Sequence, residues 1–476
     1  MQFNSIVFAI FFFVFASLYY AASNLIKNAI FFQRILLLLA SAAFYAFADL
    51  KFLPFLAYAI AVSYFARAIA GQGNKSKILF IALVAADLAP LLFFKYAPKD
   101  WHKGIIFPLG LSFFTFQSLS YIFDCRSKKI EPEKNILDVA LFVSFFPVIS
   151  SGPIQRAPIL MPQFKALHKF DYDNATDGLK LFAWGLFKKF CVADAIAVYV
   201  DFVYDGKTLF AQSGLALLLA ALFYSFQIYC DFSAYSDMAI GVARFMGFDA
   251  GKNFDHPYLA LSTGDFWRRW HISLSTWLRD YVYIPLGGSR VALPRIYFNL
   301  LPTFLVSGIW HGSTWNFVIW GLLHGLYQCA GRATKGLWEK AKLPDFVRIA
   351  ITFCLVSFAW IFFRAATLNE ALTIIKGFLK IPQDMTNLLA MTKDVGIKDA
   401  LKTTLSIDGG FMSMLNRCAA LLIFICISYS TRKTNGLEMI KAKPAAIRWI
   451  LYYAFAVVII FFYNTGFVSN FIYSNF

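Results

Sequence analysis

Long runs of apolar residues alternate with short polar connectors along most of this chain. A run of about twenty apolar residues predicts a helix that crosses a bilayer, because a helix satisfies its own backbone hydrogen bonds where no water is available. We predict spans or part-spans at 4–26, 35–49, 52–66, 77–95, 105–124, 136–154, 178–200, 209–230, 232–248, 296–328, 347–363, 416–430 and 449–469. Several are too short to cross alone, and those around 35–66 and 180–200 are expected to be tilted, re-entrant or interfacial. The pattern therefore predicts an all-α polytopic membrane protein.

Composition supports the same class. Apolar residues make up 59% of the 476 residues and charged residues only 15%, which is too little polar surface to cover a soluble globule of this length. No Pro-rich linker, low-complexity tail or fixed-period repeat divides the chain. We therefore predict a single integral membrane domain over residues 1–476.

The net charge of +17 could suggest a nucleic-acid partner, but the basic residues cluster in short connectors between apolar runs. That distribution is typical of the cytoplasmic loops of membrane proteins, so we predict no nucleic-acid partner. The clearest basic connectors are Lys27 to Arg34, Arg332 to Arg348 and Arg432 to Arg448. Placing them in the cytoplasm puts both termini outside it.

Two apolar segments carry residues that break helices. One contains Pro108 and Gly110, and the other contains Pro147, Gly152 and Pro153. Irregular backbone at membrane depth is tolerated where it lines a cavity or is buried in protein. These segments are therefore candidate walls of a pocket.

Acidic residues also occur inside apolar runs, at Asp87, Asp231 and Asp237. A carboxylate at such depth faces protein, water or a partner rather than lipid. The pattern favours structural pairing within the helix bundle over a chemical role.

The stretch from Asp265 to His324 holds three of the six histidines and six of the eleven tryptophans. Its first part predicts a helix from Phe266 to Tyr281 with an apolar stripe opposite arginines, as in a helix that lies in the membrane interface. The stripe consists of Trp267, Trp270, His271, Leu274, Trp277, Leu278 and Tyr281. His271 then points into the protein, where a buried imidazole needs a partner.

The second part contains no Asp, Glu, Lys or Arg between residues 296 and 330, yet it carries two histidines. His311 lies between Gly308 and Gly312, which would let a neighbouring helix or a substrate approach the backbone closely. His324 follows thirteen residues later, about 140° around an ideal helix. The two histidines therefore cannot share one short-range site unless the helix breaks.

Several chemistries lack their signatures. There is no GxSxG elbow, no HExxH or HxxxH pair and no Gly-rich phosphate loop, and the histidines are too scattered to predict a metal site. A buried histidine can act as a general base near neutral pH. This suits activation of a hydroxyl that attacks an acyl thioester. A structural role for the histidines remains open.

The sequence FWRRWHISLSTWLRDYVYIPLGGSR, followed by LVSGIWHGSTWNFVIWGLLHG, closely resembles the membrane-bound O-acyltransferase family. Within it, the resemblance is to the bacterial branch with the alginate and peptidoglycan O-acetyltransferase membrane subunits and the teichoic acid D-alanylation protein. PLGLSFFTFQSLSYIFD, SFFPVISSGPIQRA and YCDFSAYSDMAIGVARFMGF are also similar to that branch. The core motifs cover about 107–330, with C-terminal spans in 347–476.

The resemblance implies a ring of transmembrane and re-entrant or interfacial helices around a central channel. It implies His311 as the catalytic histidine and His271 as a supporting one. Trp267, Arg268, Arg269 and Trp310 are expected along the donor channel or at the coenzyme A. The C-terminal FIYSNF places Tyr473 at the position of a proposed acyl carrier, although an aromatic interface anchor is the alternative.

The implied reaction passes an acetyl group from a cytoplasmic thioester, acetyl-CoA, across a bacterial cytoplasmic (inner) membrane. A separate extracytoplasmic SGNH-type O-acetyltransferase would be the partner that modifies a polysaccharide, and membrane lipid surrounds the chain. Acetyl-CoA would be a substrate, with no bound cofactor. Two alternatives remain open: D-alanyl transfer from a carrier-protein thioester to teichoic acid, and a transporter or export channel without chemistry of its own.

Overall fold

The computed structural model describes residues 1–70, 74–102, 107–205, 209–407, 410–434, 436–463 and 471–472. Within these ranges all regular structure is helical, and no strand is present. The prediction of an all-α protein is therefore confirmed.

The α-helices are numbered in chain order. The first ten are α1 (Ile6–Leu25), α2 (Ala29–Ala46), α3 (Leu53–Phe65), α4 (Asn74–Tyr96), α5 (Leu111–Arg126), α6 (Ile136–Ser144), α7 (Phe146–Ile149), α8 (Ala157–Leu160), α9 (Tyr172–Phe187) and α10 (Ala195–Tyr204). The others are α11 (Gly214–Phe245), α12 (Thr263–Arg269), α13 (Ile272–Leu278), α14 (Leu293–His311), α15 (Trp315–Ala333), α16 (Lys335–Ala341), α17 (Asp345–Arg364), α18 (Leu368–Gly377), α19 (Ile381–Asp394), α20 (Ile397–Thr404), α21 (Phe411–Ser430), α22 (Gly436–Lys441) and α23 (Ala445–Tyr463).

Tighter and wider turns connect them. The 3₁₀ segments are Leu50–Phe52, Ala66–Ala70, Lys99–His102, Met161–Lys165, Leu209–Ala211, Pro257–Leu259 and Phe378–Lys380, and the π-helices are Lys188–Asp194 and Arg279–Tyr283. Eight stretches of the described chain are long and apolar enough to cross a membrane: α1, α2, Leu50–Ile69, Lys75–Tyr96, α11, α17, α21 and α23.

The longest helix, α11, forms the centre of the molecule, and most of its residues are buried. The sequence predicted two spans here, 209–230 and 232–248, and this division is wrong. No Gly or Pro lies between residues 215 and 240, and the carboxylate of Asp231 is paired with Lys189 at 2.8 Å. Since its charge has a partner inside the bundle, the helix continues through it.

The predicted span 296–328 is also wrong, because the chain turns back after His311. Helix α14 ends there, Gly312 is extended, and α15 begins at Trp315. A Cβ on Gly312 would lie 2.3 Å from the ring of Phe317. The turn therefore requires glycine, and it makes α14 and α15 a helical hairpin.

Glycine also allows the two arms of this hairpin to touch. A Cβ on Gly308 would lie 2.3 Å from the carbonyl oxygen of Phe317, and one on Gly321 would lie 2.5 Å from the carbonyl oxygen of Phe304. The prediction that Gly308 admits a neighbouring helix is confirmed, and that helix is α15.

We expect Gly308→Ala to lower the free energy of unfolding by about 1–3 kcal/mol, because the added methyl group must push the two backbones apart. Thermal unfolding in detergent would measure this as a lower Tm. Gly336→Ala is the matched control, because no heavy atom lies within 4 Å of the position of its Cβ. Equal Tm values for the two variants would contradict the close packing.

The interfacial helix predicted from Phe266 to Tyr281 is broken at His271. Helices α12 and α13 flank this residue, which has a φ of +41°. The backbone of residues 253–255 fills the break: the N–H of Ile272 donates to the carbonyl of Asn253 (2.8 Å), and the N–H of Asp255 donates to that of Arg269 (2.9 Å). The continuous helix is therefore wrong, although the apolar stripe from Trp267 to Leu278 is buried as expected.

The two segments with predicted helix breaks lie against each other. Gly110 has a φ of +72° just before α5, and a Cβ on it would lie 2.2 Å from the carbonyl oxygen of Ile149. Helix α6 ends at Ser144, and α7 is a single turn ending at Ile149. The irregular backbone is thus packed against protein, one of the two arrangements in which such breaks are tolerated. That these segments form the walls of a pocket stays a prediction.

Candidate active site

His311 lies at the C-terminal end of α14, and only 2% of it is exposed. Its ring is surrounded by aromatic rings, with centroid distances of 4.7 Å to Trp310, 4.9 Å to Trp320 and 5.2 Å to Phe363. These neighbours come from α14, α15 and α17. These aromatic rings keep bulk water from most of the imidazole. The shielding favours proton exchange between the imidazole and a bound reactant.

His271 is completely buried in the break between α12 and α13. Its Nδ1 lies 3.1 Å from Oδ1 of Asn253. The same side-chain oxygen accepts hydrogen bonds from the backbone N–H (3.3 Å) and the hydroxyl (2.9 Å) of Ser273. A backbone N–H only donates, so the amide atom facing it is the oxygen, and the imidazole carries its proton on Nδ1. In the neutral imidazole, Nε2 of His271 therefore keeps its lone pair.

Trp310 lies between the two histidines. Its ring centroid is 6.2 Å from that of His271 and 4.7 Å from that of His311. Phe113 and Phe116 of α5 pack on it at 6.0 and 5.3 Å. The structure therefore brings His271, Trp310 and His311 into one cluster, as the sequence hypothesis requires.

The hairpin also brings His324 towards His311. Trp320 lies between them, with its ring 4.9 Å from each imidazole, and Nε1 of Trp267 donates to Nδ1 of His324 at 3.2 Å. The two histidines could come close only if the helix between them broke, and that break is present. In the described part of the chain, no group of three or more His, Cys, Asp or Glu side chains could hold a metal ion.

The two arginines next to Trp267 lie at the surface. The side chain of Arg268 is 73% exposed and reaches Asp265 at 3.3 Å. Arg269 pairs with Asp265 at 3.1 Å and approaches the carbonyl oxygen of Asp255 at 3.4 Å. Arg268 is thus available to a ligand that approaches this surface, whereas Arg269 holds the segment that fills the break at His271.

Tyr473 lies outside the described residues. The segment just before it is described, and Phe471 is only 5% exposed, with its ring 6.1 Å from that of Phe232. The ring of Phe232 in turn lies 4.7 Å from that of His271. The C-terminal segment therefore reaches the wall of the histidine cluster.

Sequence reasoning missed three residues of this site. Asn253 orients His271, and Trp320 lies between two histidines. Lys95, at the end of α4, donates a hydrogen bond to the carbonyl oxygen of Trp310. A lysine directly after the apolar run of α4 was a signal for Lys95, but only the fold reveals the other two.

The acidic residues inside apolar runs have partners. Asp231 and Asp237 pair with Lys189 and Lys188 at 2.8 and 2.7 Å, and Asp87 accepts a hydrogen bond from the hydroxyl of Ser118 at 2.8 Å. The prediction of structural pairing within the bundle is confirmed.

Comparison with known proteins adds to this geometry. Residues 6–371 match the model of MBOAT, the membrane-bound O-acyltransferase family. The chain is 39% identical to the peptidoglycan O-acetyltransferase of Helicobacter pylori over 404 residues, covering 76% of each chain. It is 38% identical to a probable alginate O-acetylase of Pseudomonas putida, covering 78% of this chain and 79% of the other. The teichoic acid D-alanyltransferase of Bacillus subtilis is 31% identical over 61% of this chain and 79% of its own.

Proposed function

Since this chain belongs to the membrane-bound O-acyltransferase family, we propose that it transfers an acetyl group from acetyl-CoA across the cytoplasmic membrane for O-acetylation of an extracytoplasmic polysaccharide. The observation that carries the proposal is the buried cluster in which Trp310 separates His311 from His271. Such a site holds two imidazoles for proton transfer at a place sheltered from water.

In the proposed reaction, His311 acts as general base. It removes the proton of an accepting hydroxyl, whose oxygen attacks the carbonyl carbon of the acetyl thioester. The carbon–sulfur bond breaks, and the departing thiolate takes up the proton that His311 removed, so that it leaves as the free thiol and the imidazole is restored. His271 lies on the other side of Trp310 and has a lone pair on Nε2. It orients either acetyl-CoA or the general base, His311.

The accepting hydroxyl is proposed to be that of Tyr473. Its ester would carry the acetyl group to the outer surface, where an SGNH-type transferase passes it to the polysaccharide. This requires both termini to be extracytoplasmic. Two observations support it: the basic connectors give that orientation, and the described segment 471–472 contacts residues beside His271.

Arg268 is proposed to attract the phosphates of acetyl-CoA. Its guanidinium is exposed, while its helix also carries Trp267, which donates to His324 and packs against Trp320 beside His311. An exposed cation next to a buried site can raise the local concentration of an anionic donor.

The relatives bear on the acyl group. Those named for O-acetylation are 38–39% identical over about three quarters of this chain, whereas the D-alanyltransferase is 31% identical over 61%. The comparison favours acetyl transfer over D-alanyl transfer. Membership of an acyltransferase family argues against the transporter alternative.

We expect proteoliposomes containing the purified protein to take up label from radiolabelled acetyl-CoA into an acid-stable acyl product. Unlabelled acetyl-CoA should compete with the labelled donor, and a D-alanyl carrier-protein thioester should not. The matched control is the protein with His311 replaced by alanine, reconstituted at the same density. If radiolabelled acetyl-CoA gave no acyl product and a radiolabelled D-alanyl carrier-protein thioester did, D-alanyl transfer would replace acetyl transfer.

A further inference from the structure

A carboxylate on α11 holds the backbone of the C-terminal segment. The N–H of Ile472 donates to Oδ2 of Asp231 at 2.8 Å. The preceding residue, Phe471, is buried, with its ring 4.2 Å from that of Tyr235 on the same helix. The segment 471–472 is thus fixed to α11 by a charge-assisted hydrogen bond and by contacts of Phe471 with the rings of Tyr235 and Phe232.

The other oxygen of Asp231 belongs to a buried ion pair. Its Oδ1 lies 2.8 Å from Nζ of Lys189, which also contacts Asp194 at 2.9 Å. The three side chains are at most 2% exposed. Burying a second carboxylate beside Lys189 is costly unless its remaining oxygen also accepts a hydrogen bond. For Asp231, the donor of this second hydrogen bond is Ile472, which belongs to the C-terminal segment rather than to the helix bundle.

The backbone around Lys189 is unusual as well. Residues Lys188–Asp194 form a π-helix between α9 and α10, a geometry that is frequent at functional sites. It buries two consecutive lysines, and each pairs with a carboxylate of α11, Lys188 with Asp237 and Lys189 with Asp231. The two pairs are chemically alike, but only Asp231 has a hydrogen bond to the C-terminal segment among the described residues.

The position of Asp231 connects this attachment to the histidine cluster. The next residue on α11, Phe232, contacts both Phe471 (6.1 Å) and His271 (4.7 Å) through its ring. The place where the segment is held is therefore one aromatic ring away from His271.

We propose that Asp231 is a positioning residue, which docks the C-terminal segment through the N–H of Ile472 next to Phe232, whose ring contacts His271. This inference rests on the proposed function, in which Tyr473 accepts the acetyl group. Asp231 takes no part in the chemistry. It acts by holding Ile472 in place. This reduces the number of positions open to the hydroxyl of Tyr473 before the reaction and so lowers the entropic cost of bringing it to the donor.

The test is Asp231→Asn in the full-length protein. A carboxylate accepts hydrogen bonds on both sides, whereas an amide has one oxygen. The ammonium of Lys189 only donates, so the amide oxygen of the variant faces Lys189. Its NH2 group then faces the N–H of Ile472, which loses its acceptor. We expect hydrogen exchange at the Ile472 amide, followed by mass spectrometry, to become about 10- to 100-fold faster, as loss of a hydrogen bond to a charged group implies. The matched control is Asp237→Asn, which removes the like carboxylate beside Lys188 and should leave this exchange rate unchanged. Unchanged exchange in Asp231→Asn would overturn the proposal.

A second pair of variants leaves the ion pair intact. Ile472→Pro removes the N–H itself, while Ile472→Ala keeps it. Acetyl transfer should fall about 10- to 100-fold in Ile472→Pro and change little in Ile472→Ala. Equal activities of these two variants would show that the hydrogen bond does not position the segment.

The outcomes separate this inference from the proposed function. Faster exchange together with lower acetyl transfer in Asp231→Asn supports docking. Faster exchange with wild-type transfer overturns the positioning role of Asp231 and leaves the acetyl-transfer proposal intact. If Tyr473→Phe transfers acetyl groups at the wild-type rate, the proposed carrier is wrong, and with it the reason for docking, even where the exchange data show the hydrogen bond.

Discussion

Replacing His311 by alanine is expected to lower the rate of acetyl transfer from acetyl-CoA about 1,000-fold, within the usual range for loss of a general base. The imidazole is almost completely buried among Trp310, Trp320 and Phe363. Water has little access to replace it there as the base. The measurement is the initial rate of label transfer in proteoliposomes at saturating donor.

The control for this variant is His168→Gln. The imidazole of His168 stacks on Phe248 and contacts the carbonyl oxygen of Gln163, away from the cluster. Its replacement should leave the rate within about threefold of the wild type, because a substitution remote from the reacting groups changes the free energy by only about 0.5 kcal/mol. A His311→Ala variant that folds, as judged by its Tm, and transfers acetyl groups at the wild-type rate would remove His311 from the mechanism.

The second large effect is expected at Asn253. Replacing it by leucine removes the oxygen that accepts from Nδ1 of His271 and from Ser273. His271 can then change its tautomer and its orientation, and displacement of a group by about 1 Å in an active site costs about 100-fold in rate. Steady-state kinetics should show the loss chiefly in kcat, with a smaller change in KM for acetyl-CoA.

Asn253→Asp distinguishes this positioning role from a general effect on folding. The carboxylate keeps an oxygen facing Nδ1 of His271, and Nδ2 of Asn253 has no hydrogen-bond partner among the described residues. The variant should therefore recover most of the activity that the leucine variant loses. If both variants lose activity equally while their Tm values differ from the wild type by the same amount, Asn253 supports only the fold.

The sequence was sufficient to predict the class of fold because that prediction depends on composition and on lengths of apolar runs. The local breaks at Gly110 and around Pro147 were also predictable, since glycine and proline act on their own backbone. The division of α11 was predicted wrongly for a different reason. A single aspartate in an apolar run looks like a boundary until its partner, Lys189, is known, and that lysine comes from another part of the chain.

The same limit applies to the histidines. The residue type of His311 and its glycine neighbours marked it as a candidate. Its relation to His324, however, depended on whether the chain turned after Gly312. The interfacial helix was predicted as continuous because its apolar periodicity is continuous. It breaks because the backbone of Asn253 and Asp255 pairs with it, and periodicity carries no information about a partner segment.

Mass spectrometry of the purified protein after a brief incubation with acetyl-CoA tests the central claim most directly. The proposal predicts an acetyl group on the hydroxyl of Tyr473 in the wild-type protein, and a yield about 1,000-fold lower at the same time point in His311→Ala, as loss of the general base implies. Equal acetylation of Tyr473 in the two proteins, or acetyl transfer to acceptor without any acetylated Tyr473, would contradict it.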